Sequence, residues 1–313
     1  MNSPCLRAKG IRTSKCVCGY FTGQIRRKKF MHSSSQVLCK IKTYENRHVT
    51  LDYAIHSQHI KDPNASPIVI CHGLFGSKIN WRSLGRRINT MSGRKVITYD
   101  CVNHGDSSHH DEMSYNDLAH DLIALLNQLD ISKVLLIGHS MGGKTVMTSA
   151  LTYPDRVEKI ISVDAAPTIS KSSGEVLRYL NAMSGMDMSK MKTKQAIEEE
   201  LHKVVKSRSV LMFLMQNLKP LDDGFYWRIN LKAMAKNYHY THAFPVFKDG
   251  VQFDKPALFV GGERSYYITE EEYPEIIRLF PLATIKHIPA AGHWVHSDQP
   301  NAFLESIASY IKV

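Results

Sequence analysis

The sequence predicts an α/β protein: a mostly parallel sheet covered by helices on both faces, with a helical insertion. Three observations carry this. Six short apolar runs, at 67–71, 95–100, 133–138, 157–164, 256–262 and 283–288, lack the polar alternation of a half-exposed strand, and most run into Gly, His or Asp. Such continuous runs are what a sheet buried on both faces requires. Between several of them lie helical periods, and strands alternating with helices imply parallel connections. The third observation is a break in the alternation, from about 167 to 250, where helical patterns replace strands.

Taken in chain order, the first segment stands apart. Of the 313 residues, 40 are Lys or Arg and 29 are Asp or Glu, for a formal charge of +11. Eight of those cations (Arg7, Lys9, Arg12, Lys15, Arg26, Arg27, Lys28 and Lys29) lie within residues 1–36, and the first acid is Glu45. An acid-free segment rich in Arg, Lys and Ser reads as a mitochondrial presequence. Without it the charge falls to +3, which removes the main argument for a nucleic-acid partner. Cysteines at 5, 16, 18, 39, 71 and 101 form no disulfide framework, and Cys16-Val17-Cys18 lacks a second pair at zinc-site spacing. No apolar run approaches the ~20 residues of a bilayer span.

The body is expected over 37–313. Residues 37–42 and 49–55 alternate around the polar Glu45-Asn46-Arg47 and predict a β-hairpin. Leu118, Leu122, Leu125, Leu126 and Leu129 share one helix face, opened by the cap signal Ser114-x-x-Asp117, and Phe303, Ile307, Tyr310 and Ile311 do the same for a terminal helix. Within the insertion, helices are expected at 175–183, 194–205, 210–218 and 226–235. It holds seven of the thirteen Met and would lie over the C-terminal edge of the sheet, where open α/β sheets bind ligands. Those methionines are candidates to line an adaptable acyl pocket or simply to fill core.

The chemistry gathers at that same edge. Gly138-His139-Ser140-Met141-Gly142 joins an apolar strand to a helical run, the context in which G-x-S-x-G presents a serine hydroxyl at a sharp turn. The helix N-terminus behind it favours a developing negative charge. A serine needs a base, and His293, in Ala291-Gly292-His293-Trp294 just past the last strand, supplies one; His296 is the weaker candidate. Oxyanion donors are expected from the amides of Leu74, in His72-Gly73-Leu74-Phe75-Gly76, and of Met141, with Phe75 the register alternative. The segment Asp100-Cys101-Val102-Asn103-His104-Gly105-Asp106-Ser107 is read as structural. For the acid that orients the imidazole, Asp164 ends the strand after the nucleophile's and Glu263 lies beyond the next one. Asp164 is favoured, with Ser265 standing where an Asp would be usual and Glu263 the alternative. This chemistry needs neither metal nor organic cofactor.

The set HGLFGS at 72–77, DCVNHGDS at 100–107, GHSMGGK at 138–144, VDAAP at 163–167, FYWRINL at 225–231 and AAGHWVHSDQP at 290–300 resembles the α/β-hydrolase superfamily. Within it the chain is similar to a group of mitochondrial serine hydrolases and to the bacterial short-chain esterases akin to them. The resemblance covers about 37–313, cap included, and implies an eight-stranded, mostly parallel sheet. In the bacterial relatives the acid follows the strand after the nucleophile and a serine fills the usual acid position, which Asp164 and Ser265 match. Some mitochondrial relatives place the acid in the cap near 231–235; here Lys232 stands in that stretch, with no Asp or Glu. The resemblance implies a mitochondrial, matrix esterase or lipase acting on diacylglycerol or on short acyl esters and thioesters. It also implies an association with the 2-oxoglutarate dehydrogenase complex that protects its lipoyl groups, and with it the alternative of a binding partner in which hydrolysis is secondary.

Overall fold

A computed structural model describes residues 44, 47–171 and 174–313. Its sheet contains β1 (Tyr53–His56), β2 (Ile68–Cys71), β3 (Val96–Tyr99), β4 (Val134–His139), β5 (Val157–Val163), β8 (Ala257–Gly262) and β9 (Ala283–Ile288). A separate hairpin comprises β6 (Leu218–Leu221) and β7 (Gly224–Trp227). The sheet order is β1-β3-β2-β4-β5-β8-β9, with only β1 antiparallel to its neighbour.

The apolar runs are continuous because their two faces enter two different cores. Val69, Ile97, Leu136, Ile160 and Phe259 face α2 (Tyr115–Gln128) and α3 (Met141–Thr152). Their chain neighbours Ile68, Ile70, Leu135, Ile137, Ile161 and Val260 face α1 (Arg82–Ser92) and α11 (Pro300–Ile311). Alternate residues of a strand point to opposite faces, so a sheet covered on both sides tolerates no polar phase. The expected Leu face of α2 is buried, and Ser114 caps it, its hydroxyl accepting from the Asp117 amide. Cys71 and Cys101 are buried side by side, sulfurs 3.4 Å apart, as small core residues.

Among the described residues the sheet has seven strands; the first arm of the expected hairpin, at 37–42, lies outside them, and β1 pairs with β3. Two expectations within the cap need correction. The helix expected at 226–235 is split into β7 and α7 (Leu231–Lys236). Asp222-Asp223-Gly224 makes a tight turn, with Gly224 at φ 135°, and Asn230 then caps α7 by accepting from the Ala233 amide. That turn lets Phe225, Tyr226 and Trp227 pair with 218–220, so the helix expected at 210–218 ends at Met215. Finally, Met183, Met215 and Met234 are core residues, and among the described residues no cap methionine lines a cavity at the site.

The remaining cap helices are α4 (Glu175–Ser184), α5 (Lys194–His202), α6 (Arg208–Met215) and α8 (Tyr238–His242). They leave the sheet after β5 and return before β8. Their buried faces, including Leu180, Ile197, Leu201, Leu211 and Leu214, join the core on the α2–α3 side. Lys144 of α3 closes this seam: its buried ammonium donates to Thr168 O, Ser170 Oγ, His242 O and Ala243 O at 2.7–3.0 Å, tying both ends of the cap to one side chain. Burial pulls its pKa down to about 7. The ammonium has three hydrogens to share among those four oxygens and a neutral amine only two, so deprotonation would leave more of them without a donor, which opposes the loss of the proton.

Candidate active site

The site begins with a strained turn. Between β4 and α3, Ser140 sits at φ 53°, ψ −115°, a conformation that costs a non-glycine residue about 1–3 kcal/mol. The flanking glycines make it sterically feasible. A Cβ on Gly138 would strike the Gly142 carbonyl, and one on Gly142 would strike that of Cys71. The Ser140 amide bonds Val163 O at 2.9 Å, and its carbonyl accepts from the Lys144 amide at 3.1 Å, so the strained residue is held on both sides.

Sheet register then places Asp164. In β4–β5 pairing His139 lies opposite Val163, so Ser140 and Asp164 emerge together at the same edge. Asp164 is also at positive φ (49°), its amide bonded to Val260 O at 2.9 Å. Its carboxylate is fully buried and satisfied by three donors: Gly262 N at 3.1 Å on Oδ1, with Ser265 Oγ at 2.5 Å and His293 Nδ1 at 2.6 Å on Oδ2. Since a carboxylate only accepts, His293 carries its proton on Nδ1, and Nε2 is free to accept from Ser140 Oγ, 3.0 Å away.

The His293 loop is fastened at several points. His139 Nε2 donates to the His293 carbonyl at 2.8 Å, and Tyr267 stacks on the imidazole with centroids 4.0 Å apart. Burial, reinforced by the neighbouring His296 and His293, drives the His139 pKa well down, so it is a neutral brace. Asp298 accepts from the Gly292 amide at 2.8 Å. Glu263 is exposed and accepts from the Ala290 amide at 2.9 Å: it secures the loop and does not contact His293. His296 is buried, stacked on Trp81 at 4.1 Å, and burial lowers its pKa to about 3. The side chains of His139 and Tyr267 were not legible as site residues, since one is the variable position of the elbow and the other belongs to no motif.

Across the turn lies the glycine-bearing loop after β2. His72 Nε2 accepts from the Cys101 amide at 3.0 Å, which leaves the proton on Nδ1 to donate to Gly73 O at 2.8 Å. Phe75 is at φ 63°, with its carbonyl held by Asn217 of the cap at 2.8 Å. Leu74 lies between them at the cavity wall. The following strand end is a brace. Lys78 Nζ is 2.6, 2.7 and 3.0 Å from Asp52, Asp100 and Asp106, the one trio of carboxylates among the described residues with cation-site spacing. The ammonium already occupies the place a metal ion would take.

Two compartments open on Ser140. One of about 200 Å³ is walled by His293, Phe75 and Trp294 and, from the cap, by Tyr179, Val210 and Phe213. The other, about 50 Å³, is bounded by Met141, Tyr115, Ser170, Tyr238 and His242. Leu74, Val176 and Tyr267 border both.

The family model described as alpha/beta hydrolase fold matches residues 66–300. The sn-1-specific diacylglycerol lipase ABHD11 of Danio rerio is 41% identical over 253 residues, 80% of this chain and 79% of that protein. Esterase YbfF of Escherichia coli is 34% identical over 250 residues, 79% of this chain and 94% of that protein. Among solved structures, a marine microorganism esterase superposes with a TM-score of 0.78 at 33% identity, covering 84% of this chain and all of the other. These likenesses extend over most of the chain, and the protein belongs to the α/β-hydrolase fold family, in the group of ABHD11 and its bacterial esterase relatives.

Proposed function

We propose that this protein is a serine hydrolase that cleaves carboxylic esters or thioesters of acyl lipids such as diacylglycerol, or short acyl esters, through an acyl-serine intermediate. Hydrolysis of carboxylic esters follows from its family and from relatives named lipase and esterase. The observation that carries the finer reading is the unbroken chain from Asp164 Oδ2 to His293 Nδ1 at 2.6 Å and from His293 Nε2 to Ser140 Oγ at 3.0 Å.

In this reading His293 Nε2 takes the Ser140 proton as Oγ bonds to the ester carbon, and the carbonyl π pair moves onto oxygen. The amides of Leu74 and Met141, with the α3 N-terminus, stabilise that oxyanion. Collapse re-forms the carbonyl and breaks the bond to the leaving oxygen or sulfur, which takes the proton from His293. Water, deprotonated by His293, repeats the sequence to release the acid and restore Ser140. Asp164 orients the imidazole, Ser265 holds Asp164, and Glu263 holds the loop. The body of the enzyme is assigned to 37–313 with a cap at about 167–250.

The test is labelling by a fluorophosphonate probe together with ester turnover. Ser140 is expected to be the modified residue, and folded protein that neither labels nor turns over esters would refute the mechanism. The acid-free segment 1–36 supports a mitochondrial matrix address, tested by import of a reporter fused behind it. Association with the 2-oxoglutarate dehydrogenase complex rests on the resemblance alone, and co-purification of that complex with the tagged protein from mitochondria tests it.

A further inference from the structure

We infer that Asn217 of the cap is a positioning residue for the oxyanion hole, aiming and polarising the Leu74 N–H through a relay of hydrogen-bonded peptide groups. The inference rests on the proposed mechanism, in which that N–H receives the oxyanion. In a planar trans peptide the carbonyl of one residue and the N–H of the next point in opposite directions, so whatever holds the carbonyl aims the N–H. The Leu74 N–H shares its peptide with the Gly73 carbonyl, which accepts from the Gly76 amide at 2.9 Å and from His72 Nδ1 at 2.8 Å. The Gly76 N–H in turn shares its peptide with the Phe75 carbonyl, which accepts from Asn217 Nδ2 at 2.8 Å. From the cap inward the relay is therefore the Asn217 side chain, the peptide joining Phe75 to Gly76, the peptide joining Gly73 to Leu74, and the oxyanion. Among the described residues the Leu74 amide meets no protein acceptor, and Leu74 borders both compartments at Ser140.

Each link is fixed and buried. Asn217 and Phe75 are 1% and 5% exposed, and Gly73 and Gly76 are buried with them. Phe75, at φ 63°, lies in the left-handed region, which a phenylalanine keeps only where its surroundings hold it, and the Asn217 bond supplies such a hold. The acceptors set the direction of that bond. One terminal atom of Asn217 faces two carbonyl oxygens, of Phe75 at 2.8 Å and of Leu214 at 3.3 Å, so it is the NH₂ nitrogen. The Asn217 backbone is pinned as well: its amide donates to Leu214 O at 3.1 Å just past α6, and its carbonyl accepts from the Arg228 amide at 2.9 Å at the open end of the β6-β7 hairpin. Away from water, successive hydrogen bonds polarise one another by about 10–30% per bond. A donor on the Phe75 carbonyl thus strengthens the Gly76 N–H, and through Gly73 O the Leu74 N–H, so the cap supports the reaction at a residue that does not touch the substrate.

The test compares turnover of 4-nitrophenyl acetate by the full-length enzyme and by Asn217→Leu, which keeps the bulk and loses the donor, with Asn217→Asp as the second variant should the first not fold. Loss of a whole oxyanion donor costs about 10²–10³ in kcat, and loss of a hold on one should cost less, about tenfold. KM and the pH dependence of kcat/KM should stay as in wild type. A trifluoromethyl ketone, whose carbonyl carbon Ser140 attacks to leave the oxygen at the same amides, should lose affinity by the factor by which kcat/KM falls, whereas the matching methyl ketone should bind as to wild type. Gln216→Ala cuts an adjoining cap-to-body bond outside the relay, the one donated by Asn80 Nδ2 at 2.8 Å, and should leave kcat unchanged. A kcat within twofold of wild type in the Asn217 variant, a loss shared by KM and methyl-ketone affinity, or an equal loss in Gln216→Ala would overturn the inference. Fluorophosphonate labelling of the same samples separates the two failures: labelled, active wild type with unaltered Asn217 variants refutes the relay alone, whereas unlabelled, inactive but folded wild type refutes the mechanism beneath it.

Discussion

Replacing Asp164 with Asn alters one atom type at the centre of the site and should cost nearly all of the activity. In the wild type, Oδ2 accepts from both Ser265 Oγ and His293 Nδ1, at 2.5 and 2.6 Å, while Oδ1 accepts from the Gly262 amide. An Asn side chain must keep its oxygen toward Gly262, because the backbone N–H cannot turn, and so presents its NH₂ to Ser265 and His293. The Ser265 hydroxyl can rotate and accept. The imidazole can accept only by moving its proton to Nε2, and Nε2 then no longer accepts from Ser140. Loss of the correct tautomer lowers kcat by about 10³–10⁴, or about 4–5.5 kcal/mol in barrier height. Folding should be little affected, since the substitution is isosteric and all three partners retain a hydrogen bond. The assay is single-turnover cleavage of 4-nitrophenyl acetate, with thermal melting as the control. A folded Asp164→Asn enzyme within tenfold of wild type would refute the assignment of the acid, the more decisively if Glu263→Gln were the variant that failed.

Four further outcomes follow from the same geometry. Glu263→Gln should turn over within about twofold of wild type, because a Gln oxygen can still accept from the Ala290 amide; a hundredfold loss would move the acid role to Glu263. Ser265→Ala removes one charge-assisted bond from Asp164 and should lower kcat by roughly tenfold, in line with about 1.5 kcal/mol, with KM little changed; an unaltered kcat would deny Ser265 its supporting role. Lys144→Met leaves the Thr168 and Ala243 carbonyls without their ammonium partner and should lower stability by about 2–4 kcal/mol, read as a drop in Tm and faster proteolysis within 167–250; an unchanged Tm would show that the seam does not depend on it. His104 and His296 are buried with pKa values lowered to about 3, by burial first and then by the neighbouring His72 and His293 respectively. Between that value and their unfolded value near 6.5 the unfolded chain binds more protons, so stability present above about pH 6.5 is lost as pH falls toward 3. His296→Phe should flatten part of that acid slope in a melting series from pH 7 to 4, and an identical slope would refute the linkage.

Much of the site could be read in one dimension. Ser140 on its elbow and the Ser114 cap of α2 depend on residues within a few positions of each other, and such short-range geometry is set by spacing and backbone sterics. The cap was the weakest part. The periodicity at 226–235 suggested one helix, but the Asp222-Asp223-Gly224 turn recruits its first half into a hairpin. The methionine-rich composition left pocket lining and core filling both open; helix faces are chosen by packing, which puts Met183, Met215 and Met234 in the core and Val176, Tyr179, Val210 and Phe213 among the cap residues at the cavity.

By itself, then, the sequence determined the layered fold, the serine on its elbow and a histidine after the last strand, because continuous apolar runs and fixed glycine spacings have few physical solutions. Only the tertiary structure decided which carboxylate meets that histidine. Asp164 and Glu263 are both near strand ends, and their roles differ because β5 lies between β4 and β8, which aims Asp164 inward at His293 and leaves Glu263 on the outer turn, bonded to Ala290. The division of the cleft into a large and a small compartment was equally beyond the sequence. It depends on how far α8 is drawn onto the sheet edge by Tyr115 and Lys144, contacts between residues about a hundred positions apart that no local pattern records.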